Sequence, residues 1–118
     1  MNLKFYYIYR DFTNYKKHNE IIFSNPNNKP VEEVQAFIKD HLLDGQWFYS
    51  SEWKVPDLHF EGWDAETDHF LHEFGSLTET TEPADARVTI EEFMAIIKAA
   101  KTHFWVTEVF KMMTPLRP

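Results

Sequence analysis

The sequence predicts an α+β domain in which a small antiparallel β-sheet carries two amphipathic helices on one face. Two observations lead to this fold class. Short segments rich in β-branched and aromatic residues occur near the N-terminus and again in the middle of the chain. Two other segments carry apolar residues at helical spacing. With 118 residues, the chain has the length of a single globular domain, residues 1–118.

The N-terminal β-formers predict two paired strands. Residues 3–9 (LKFYYIY) form the first, and residues 20–24 (EIIFS) form a second that runs antiparallel to it. Residues 10–19 are predicted to turn, because Asp, Thr and Asn side chains bond to nearby backbone groups. Alternation along the first strand places Phe5, Tyr7 and Tyr9 on one face, and Tyr6 and Ile8 on the other.

Helical spacing predicts a first helix over residues 31–43 and a second over residues 90–101. Pro30 suits the start of the first helix, and Gly45 is its expected stop. A capping box that begins at Thr89 marks the start of the second helix. The apolar stripe of the first helix consists of Val31, Val34, Phe37, Ile38 and Leu42.

The rest of the chain gives weaker signals. Residues 46–63 have no clean period and predict irregular structure with a short extended piece. Residues 69–81 predict a strand that becomes polar towards its end. Residues 102–110 fit either a strand or a continuation of the second helix, and both alternatives stay open. Residues 112–118 are expected to be frayed.

The composition excludes several classes of protein. The chain has no cysteine, so disulfides, thiolate catalysis and Cys-based zinc sites are excluded. It shows neither a signal-peptide pattern nor an apolar run long enough to cross a bilayer, and we expect a cytoplasmic protein. It also lacks a G-x-S-x-G elbow and a Gly-rich phosphate loop. No catalytic residue is therefore predicted, and the oligomeric state stays open.

The formal net charge of −7 is unevenly distributed along the chain. Residues 1–30 carry +3, residues 31–86 carry −12 and residues 87–118 carry +2. An acidic segment of this size disfavours nucleic acid and favours a cationic partner. Ordinary solvation of the surface explains the same charge equally well.

The stretch DHFLHEF, residues 68–74, suits either a metal site or a strand. Histidine and carboxylate side chains together bind divalent metals. On a helix, His69, His72 and Glu73 would share a face, whereas a strand would turn the two histidines to opposite faces. The threonines that follow favour the strand, with one histidine making a buried hydrogen bond. The alternative function is a metal-binding protein or metal-assisted hydrolase that holds a divalent metal with His59, Asp68, His69, His72 and Glu73.

Single-stranded nucleic acid is a third and weaker hypothesis. Aromatic and basic residues near the N-terminus could stack bases and bind phosphates. The acidic middle of the chain opposes a polyanion, and the Gly-containing RNP1 signature is absent. The residues involved would be Phe5, Tyr7, Tyr9, Arg10, Lys16 and Lys17.

The leading hypothesis is a non-enzymatic protein–protein interaction module. Aromatic residues inside a rim of like charge are typical of interface anchors and steering groups. Such a protein would neutralise a basic protein partner, as immunity or antitoxin-like proteins do. The predicted anchors are Trp47, Trp53 and Trp63, and the predicted steering residues are Glu52, Asp57, Glu61 and Asp64.

Three short motifs resemble a family of small bacterial proteins without an assigned function. They are YRDFTNYK at residues 9–16, PDLHF at residues 56–60 and DHFLHEF at residues 68–74. The resemblance covers about the first hundred residues, and the segment from Thr102 to Pro118 lies outside it. It implies a bacterial, cytoplasmic protein with a single domain, and it implies no activity and no site residue.

Overall fold

A computed structural model of the chain describes residues 1–10, 15–58 and 71–100. The described residues form four strands and three helices that pack around one core. In chain order these are β1 (Asn2–Arg10), β2 (Lys16–Phe23), α1 (Val31–Asp40), β3 (Trp47–Tyr49), α2 (Ser50–Trp53), β4 (Leu71–Thr80) and α3 (Ile90–Ala99).

The strands form one sheet in the order β2-β1-β4-β3, and each neighbouring pair is antiparallel. The predicted α+β fold with an antiparallel sheet is therefore confirmed. β1 lies inside the sheet between β2 and β4, and every second residue along it, from Leu3 to Tyr9, is buried. The two edge strands of the sheet differ in length: β2 has 8 residues, and β3 has only 3.

The predicted alternation of β1 is also confirmed. Phe5, Tyr7 and Tyr9 are fully buried, whereas the residues between them are only half-buried. The buried face of the sheet meets α1 and α3, whose apolar residues complete the core. Burial of these large side chains removes apolar surface from water and is the main stabilising contribution of the fold.

A bulge keeps β4 in phase with the core. The partners of Tyr6 and Tyr7 on β4 are Ser76 and Phe74, so Gly75 is an extra residue between them. The ring of Tyr6 lies across this position, and a Cβ atom on Gly75 would come within 2.2 Å of it. Glycine is required there because the ring occupies the space of a side chain. The inserted residue returns Leu77 to the buried face.

The first helix is shorter than predicted. It ends at Asp40, and the chain then turns so that Leu43 and Trp47 exchange backbone hydrogen bonds of 2.7 and 3.0 Å. Leu42 and Leu43 are buried by this turn and not by a helix, which is why helical spacing extended the prediction too far. Gly45, with φ of 68°, belongs to the turn and does not cap the helix.

The second predicted helix is confirmed as α3, which begins with the expected capping box. The Thr89 side chain accepts a hydrogen bond from the Glu92 backbone, and the Glu92 side chain accepts one from the Thr89 backbone. The strand predicted over residues 69–81 is observed as β4. Residues 102–118, including the segment left open between strand and helix, lie outside the described residues.

None of the helices that the structure describes is long and apolar enough to cross a membrane.

Candidate functional site

An apolar groove of about 630 Å³ lies beside the edge strand β2. Its walls come from four parts of the chain: β2, the segment after α2, the loop before α3, and α3 itself. We call it the β2–α3 groove. Its apolar lining consists of Ile21, Phe23, Trp53, Val55, Pro56, Ala86, Val88, Phe93 and Ile96, and its polar lining of Asn19, Glu20, Lys54, Asp85 and Arg87.

Asp85 fixes one wall of the groove against β2. Its carboxylate accepts a 2.8 Å hydrogen bond from the Ile22 backbone, and its own backbone donates a 3.0 Å bond to the Ile22 carbonyl. Further along the chain, the Ile90 backbone donates to the Ser24 carbonyl at 2.9 Å. These bonds occupy the outer edge of β2 at Ile22 and Ser24 and hold the loop between β4 and α3 in place.

Tyr7 fixes the opposite wall. Its hydroxyl donates a 2.7 Å hydrogen bond to the Pro56 carbonyl and accepts a 3.3 Å bond from the Asn19 side chain. The segment after α2 is turned towards this hydroxyl at Lys54, which has a left-handed φ of 57°. A backbone bond of 3.1 Å from Val55 to Ser50 closes the turn. The central strand thus anchors both β2 and the wall that faces it.

Burial raises the pKa of the Tyr7 hydroxyl, while the bond from Asn19 acts in the opposite direction. A tyrosine in the unfolded chain titrates near a pH of about 10. Below that pH both states keep the proton, so the contribution of Tyr7 to stability is intact. Above it, the unfolded chain loses its proton before the folded chain does, and stability must fall.

We therefore expect the free energy of unfolding to decrease as pH rises above about 10, and Tyr7→Phe to reduce that decrease. At neutral pH the same variant should lose about 1 kcal/mol, because the Pro56 carbonyl loses its donor. Urea denaturation at neutral and alkaline pH measures both effects. Burial also raises the pKa of Tyr49, so the loss of stability at alkaline pH is compared between Tyr7→Phe and Tyr49→Phe. A Tyr7→Phe variant as sensitive to alkali as the parent would contradict this assignment.

Many carboxylates gather at one end of the sheet, next to the groove. At this end β1 begins, β2 and β4 end, and α1 and α3 begin. The acidic residues that the described elements bring here are Glu32, Glu33, Glu79, Glu82, Asp85, Glu91 and Glu92. We call this surface the acidic end.

Lys4 partly neutralises the acidic end, with contacts of 2.5 Å to Glu82 and 3.7 Å to Glu20. The hydrogen bond from Lys4 lowers the pKa of the Glu82 carboxyl, and the Thr80 hydroxyl contributes to the same effect. The other end of the β1–β2 hairpin carries positive charge at Arg10, Lys16 and Lys17. The described sheet is therefore electrically asymmetric along its strands.

Four of the predicted partner-binding residues, Trp47, Glu52, Trp53 and Asp57, lie within the described part of the chain. Trp53 is only 2% exposed and stacks on Phe48 at 4.4 Å, so its ring belongs to the core and offers a partner little surface beyond the edge that lines the groove. Its ring fills the core beside the short helix α2. Trp47 and Glu52 line a shallow crevice at the β3 edge. Asp57 lies near His72 instead. Glu61, Trp63 and Asp64 lie outside the described residues.

The predicted metal cluster is also divided. His72 is fully buried on the core face of β4, whereas Glu73 lies on the opposite face, where it accepts hydrogen bonds from Arg10 at 2.9 Å and Gln46 at 2.8 Å. The two side chains therefore cannot hold one ion together, because neighbouring residues of a strand point apart. His59, Asp68 and His69 lie outside the described residues. Within the described part of the chain, no three His, Asp or Glu residues are placed to hold a metal ion.

His72 has a structural role in the described residues. Its Nε2 atom accepts a 3.0 Å hydrogen bond from the Leu58 backbone and lies 3.5 Å from an Asp57 oxygen. A ring nitrogen that accepts a bond from an N–H group carries no proton, so the proton of the neutral ring is on Nδ1. The ring also packs 5.0 Å from that of Tyr9. This histidine joins β4 to the segment that forms one wall of the groove.

The aromatic residues proposed to stack nucleic-acid bases are not accessible. Phe5, Tyr7 and Tyr9 are each 0% exposed and face the helices. Stacking requires an open ring face, so this part of the nucleic-acid hypothesis is wrong. Arg10 is engaged by Glu73, and Lys16 and Lys17 stand at the exposed end of β2.

Comparisons with protein-family models, curated proteins and solved structures found no match to this chain. The groove is the feature that sequence reasoning missed. Its residues come from four separate segments, and no local pattern shows that these segments meet. One signal was available, because Ile96 and Phe93 extend the apolar stripe of α3 to one side. That signal alone does not reveal which segments meet it.

Proposed function

We propose that this protein is a non-enzymatic protein–protein interaction module, an acidic binder of a basic partner comparable to immunity or antitoxin-like proteins. The partner places an apolar side chain in the β2–α3 groove, and its basic residues face the acidic end. The observation that carries the proposal is the position of an apolar groove beside a concentration of carboxylates.

The dimensions of the groove support the binding of a large side chain or a short apolar segment. Its volume of about 630 Å³ exceeds that of any single side chain and falls within the range of ligand pockets. Val88 and Ile96 are half-buried at its surface, and Phe93 is buried at its base. Protein interfaces commonly place an aromatic or aliphatic anchor in such a depression.

The polar groups of the groove support a binding role in preference to a chemical one. Asn19 is bonded to Tyr7, and Asp85 is bonded to the Ile22 backbone. Both side chains hold the walls of the groove in place. The groove therefore offers a shaped apolar surface, with Lys54 and Arg87 as exposed charges at its rim.

The charge distribution supports a basic partner. The net charge is −7, and the acidic end concentrates carboxylates on one side of the groove. Complementary charge accelerates association and selects among partners, with a smaller effect on the affinity itself. A basic protein would approach with its charged side towards the acidic end and its apolar anchor towards the groove.

Selection from a displayed library of random peptides tests this proposal with a defined probe. We expect the wild-type chain to select peptides that combine Lys or Arg residues with a large apolar residue. Binding of the selected peptides should fall at least roughly tenfold in Ile96→Lys, which places a charge in the groove. It should also fall as salt is raised from about 50 to 500 mM, because screening weakens the attraction.

Two matched variants serve as controls. Ala95→Lys makes the same charge change at an exposed position of α3 that does not line the groove, so it should leave binding nearly unchanged. Glu33→Lys at the acidic end should weaken binding more than Asp40→Lys at the other end of α1. Selected peptides that are acidic, or that bind Ile96→Lys and the parent equally, would contradict the proposal.

A further inference from the structure

The outer edge of strand β2 is largely exposed over residues 16–20. β2 is an edge strand, because it pairs only with β1 in the described sheet. The Ile22 backbone N–H and carbonyl point away from β1, towards Asp85 and Ala86. Backbone groups alternate along an antiparallel strand, so those of Glu20, His18 and Lys16 point the same way.

Among residues 1–10, 15–58 and 71–100, none forms a hydrogen bond with these outward backbone groups. The loop that occupies the edge at Ile22 and Ser24 makes no bond to residues 16–20 in the described part of the chain. Lys16, His18 and Glu20 are also exposed. An unpaired edge of this kind is a template on which another strand can add.

We infer that β2 pairs with β2 of a second copy of this chain, antiparallel and centred on His18. Lys16 of one copy then lies opposite Glu20 of the other, and His18 lies opposite its own counterpart. This register uses the outward groups of all three residues and gives about six backbone hydrogen bonds. The two sheets become one continuous sheet with twofold symmetry.

Charge complementarity selects this register over its neighbours. A shift by two residues in either direction loses both Lys16–Glu20 pairs and about two of the backbone bonds. The ladder ends at Glu20, because Asp85 and Ala86 already occupy the edge at Ile22. The free part of the edge is thus long enough for the ladder centred on His18, and the bonds at Ile22 prevent that ladder from extending further.

The position of Lys16 within its own chain gives independent support. Lys16 is the cross-strand partner of Arg10, and both side chains project from the same face of the sheet. Like charges directly opposite each other are destabilising. Arg10 is bonded to Glu73 at 2.9 Å, whereas Lys16 has no ion pair among the described residues. A carboxylate from a second copy would give Lys16 the opposite charge that its own strand pair does not supply.

Sedimentation equilibrium of the parent and three charge variants tests this inference. We expect the parent to form dimers, and Lys16→Glu or Glu20→Lys to raise the dissociation constant roughly tenfold, because each creates two like-charge pairs. The double variant Lys16→Glu/Glu20→Lys reverses both charges and should restore dimerisation to within about threefold of the parent. Lys16→Glu also converts the Arg10 pair to opposite charges, so misfolding cannot explain its effect.

A backbone variant and its control test the hydrogen bonds separately. His18→Pro removes an N–H that points outward, so the ladder with β1 is retained while the new ladder is blocked. His18→Ala keeps that N–H and should still dimerise. If the His18→Pro chain fails to fold, the double variant Lys16→Glu/Glu20→Lys tests the inference without it.

A monomeric parent at millimolar concentration would overturn the inference and would mean that Lys16 and Lys17 protect the edge from pairing. Persistent dimers in His18→Pro, or no rescue by the double variant, would overturn it as well. Ile96→Lys lies outside this ladder and should dimerise like the parent. Failure of the groove proposal and failure of this inference are therefore distinguishable.

Discussion

Phe5→Ala should lower the free energy of unfolding by about 3–5 kcal/mol, because a fully buried aromatic ring is replaced by a methyl group. Phe5 lies in the middle of the central strand and contacts rings from every layer of the core. Its ring centroid is 5.3 Å from Phe93 on α3 and 5.9 Å from Phe48 on β3. Neighbouring rings at such distances cannot close the resulting cavity without losing their own contacts. Urea denaturation measures the loss.

The adjacent residue provides the control for Phe5. Tyr6→Ala removes a ring of similar size from the opposite, half-buried face of β1. It should cost about 1–2 kcal/mol, because less apolar surface returns to water. Equal losses in the two variants would contradict the assignment of one face of β1 to the core.

His72→Leu should cost about 1–3 kcal/mol, although leucine is apolar and similar in volume. The partly buried backbone N–H of Leu58 would lose its acceptor, and a donor shielded from water without a partner is costly. The variant should also loosen residues 55–58, of which Val55 and Pro56 line the groove. Amide hydrogen exchange at Leu58 should therefore accelerate at least roughly tenfold, while exchange in α3 changes less.

His72→Gln distinguishes the hydrogen bond from the packing of the ring. Glutamine retains an acceptor, so this variant should lose less stability than His72→Leu and should protect the Leu58 amide better. A metal-binding role for His72 predicts a different result, in which both variants lose a bound ion and its contribution to stability. Equal exchange rates at Leu58 in the parent and in His72→Leu would contradict the structural role.

Most of the fold could be predicted because its signals are local. The alternation of β1 and the capping box at Thr89 each lie within a few consecutive residues. The errors occurred where tertiary contacts determine the structure. The apolar spacing at Leu42 and Leu43 suggested more helix, yet the chain turns there so that Leu43 can pair with Trp47. A helical period cannot distinguish a buried turn from a buried helix.

The binding surface was less predictable than the fold, because aromatic residues serve both cores and interfaces. The sequence placed Trp53 among the anchors, but its ring completes the core against Phe48 and Phe93. The acidic end and the groove depend on which strand ends meet in space, and strand order is not encoded in any local pattern. The sequence gives the number of acidic residues, but only the fold shows that several of them lie at the same end of the sheet.

Chemical-shift mapping by NMR with a library-selected basic peptide tests the central claim most directly. The peptide should perturb the amides of Asn19, Ile21, Ala86, Val88 and Ile96, which line the β2–α3 groove, and leave those of Trp47 and Glu52 nearly unchanged. Perturbations centred on Trp47 and Glu52 at the β3 edge, or spread evenly over the surface, would contradict the claim that the groove is the site of partner binding.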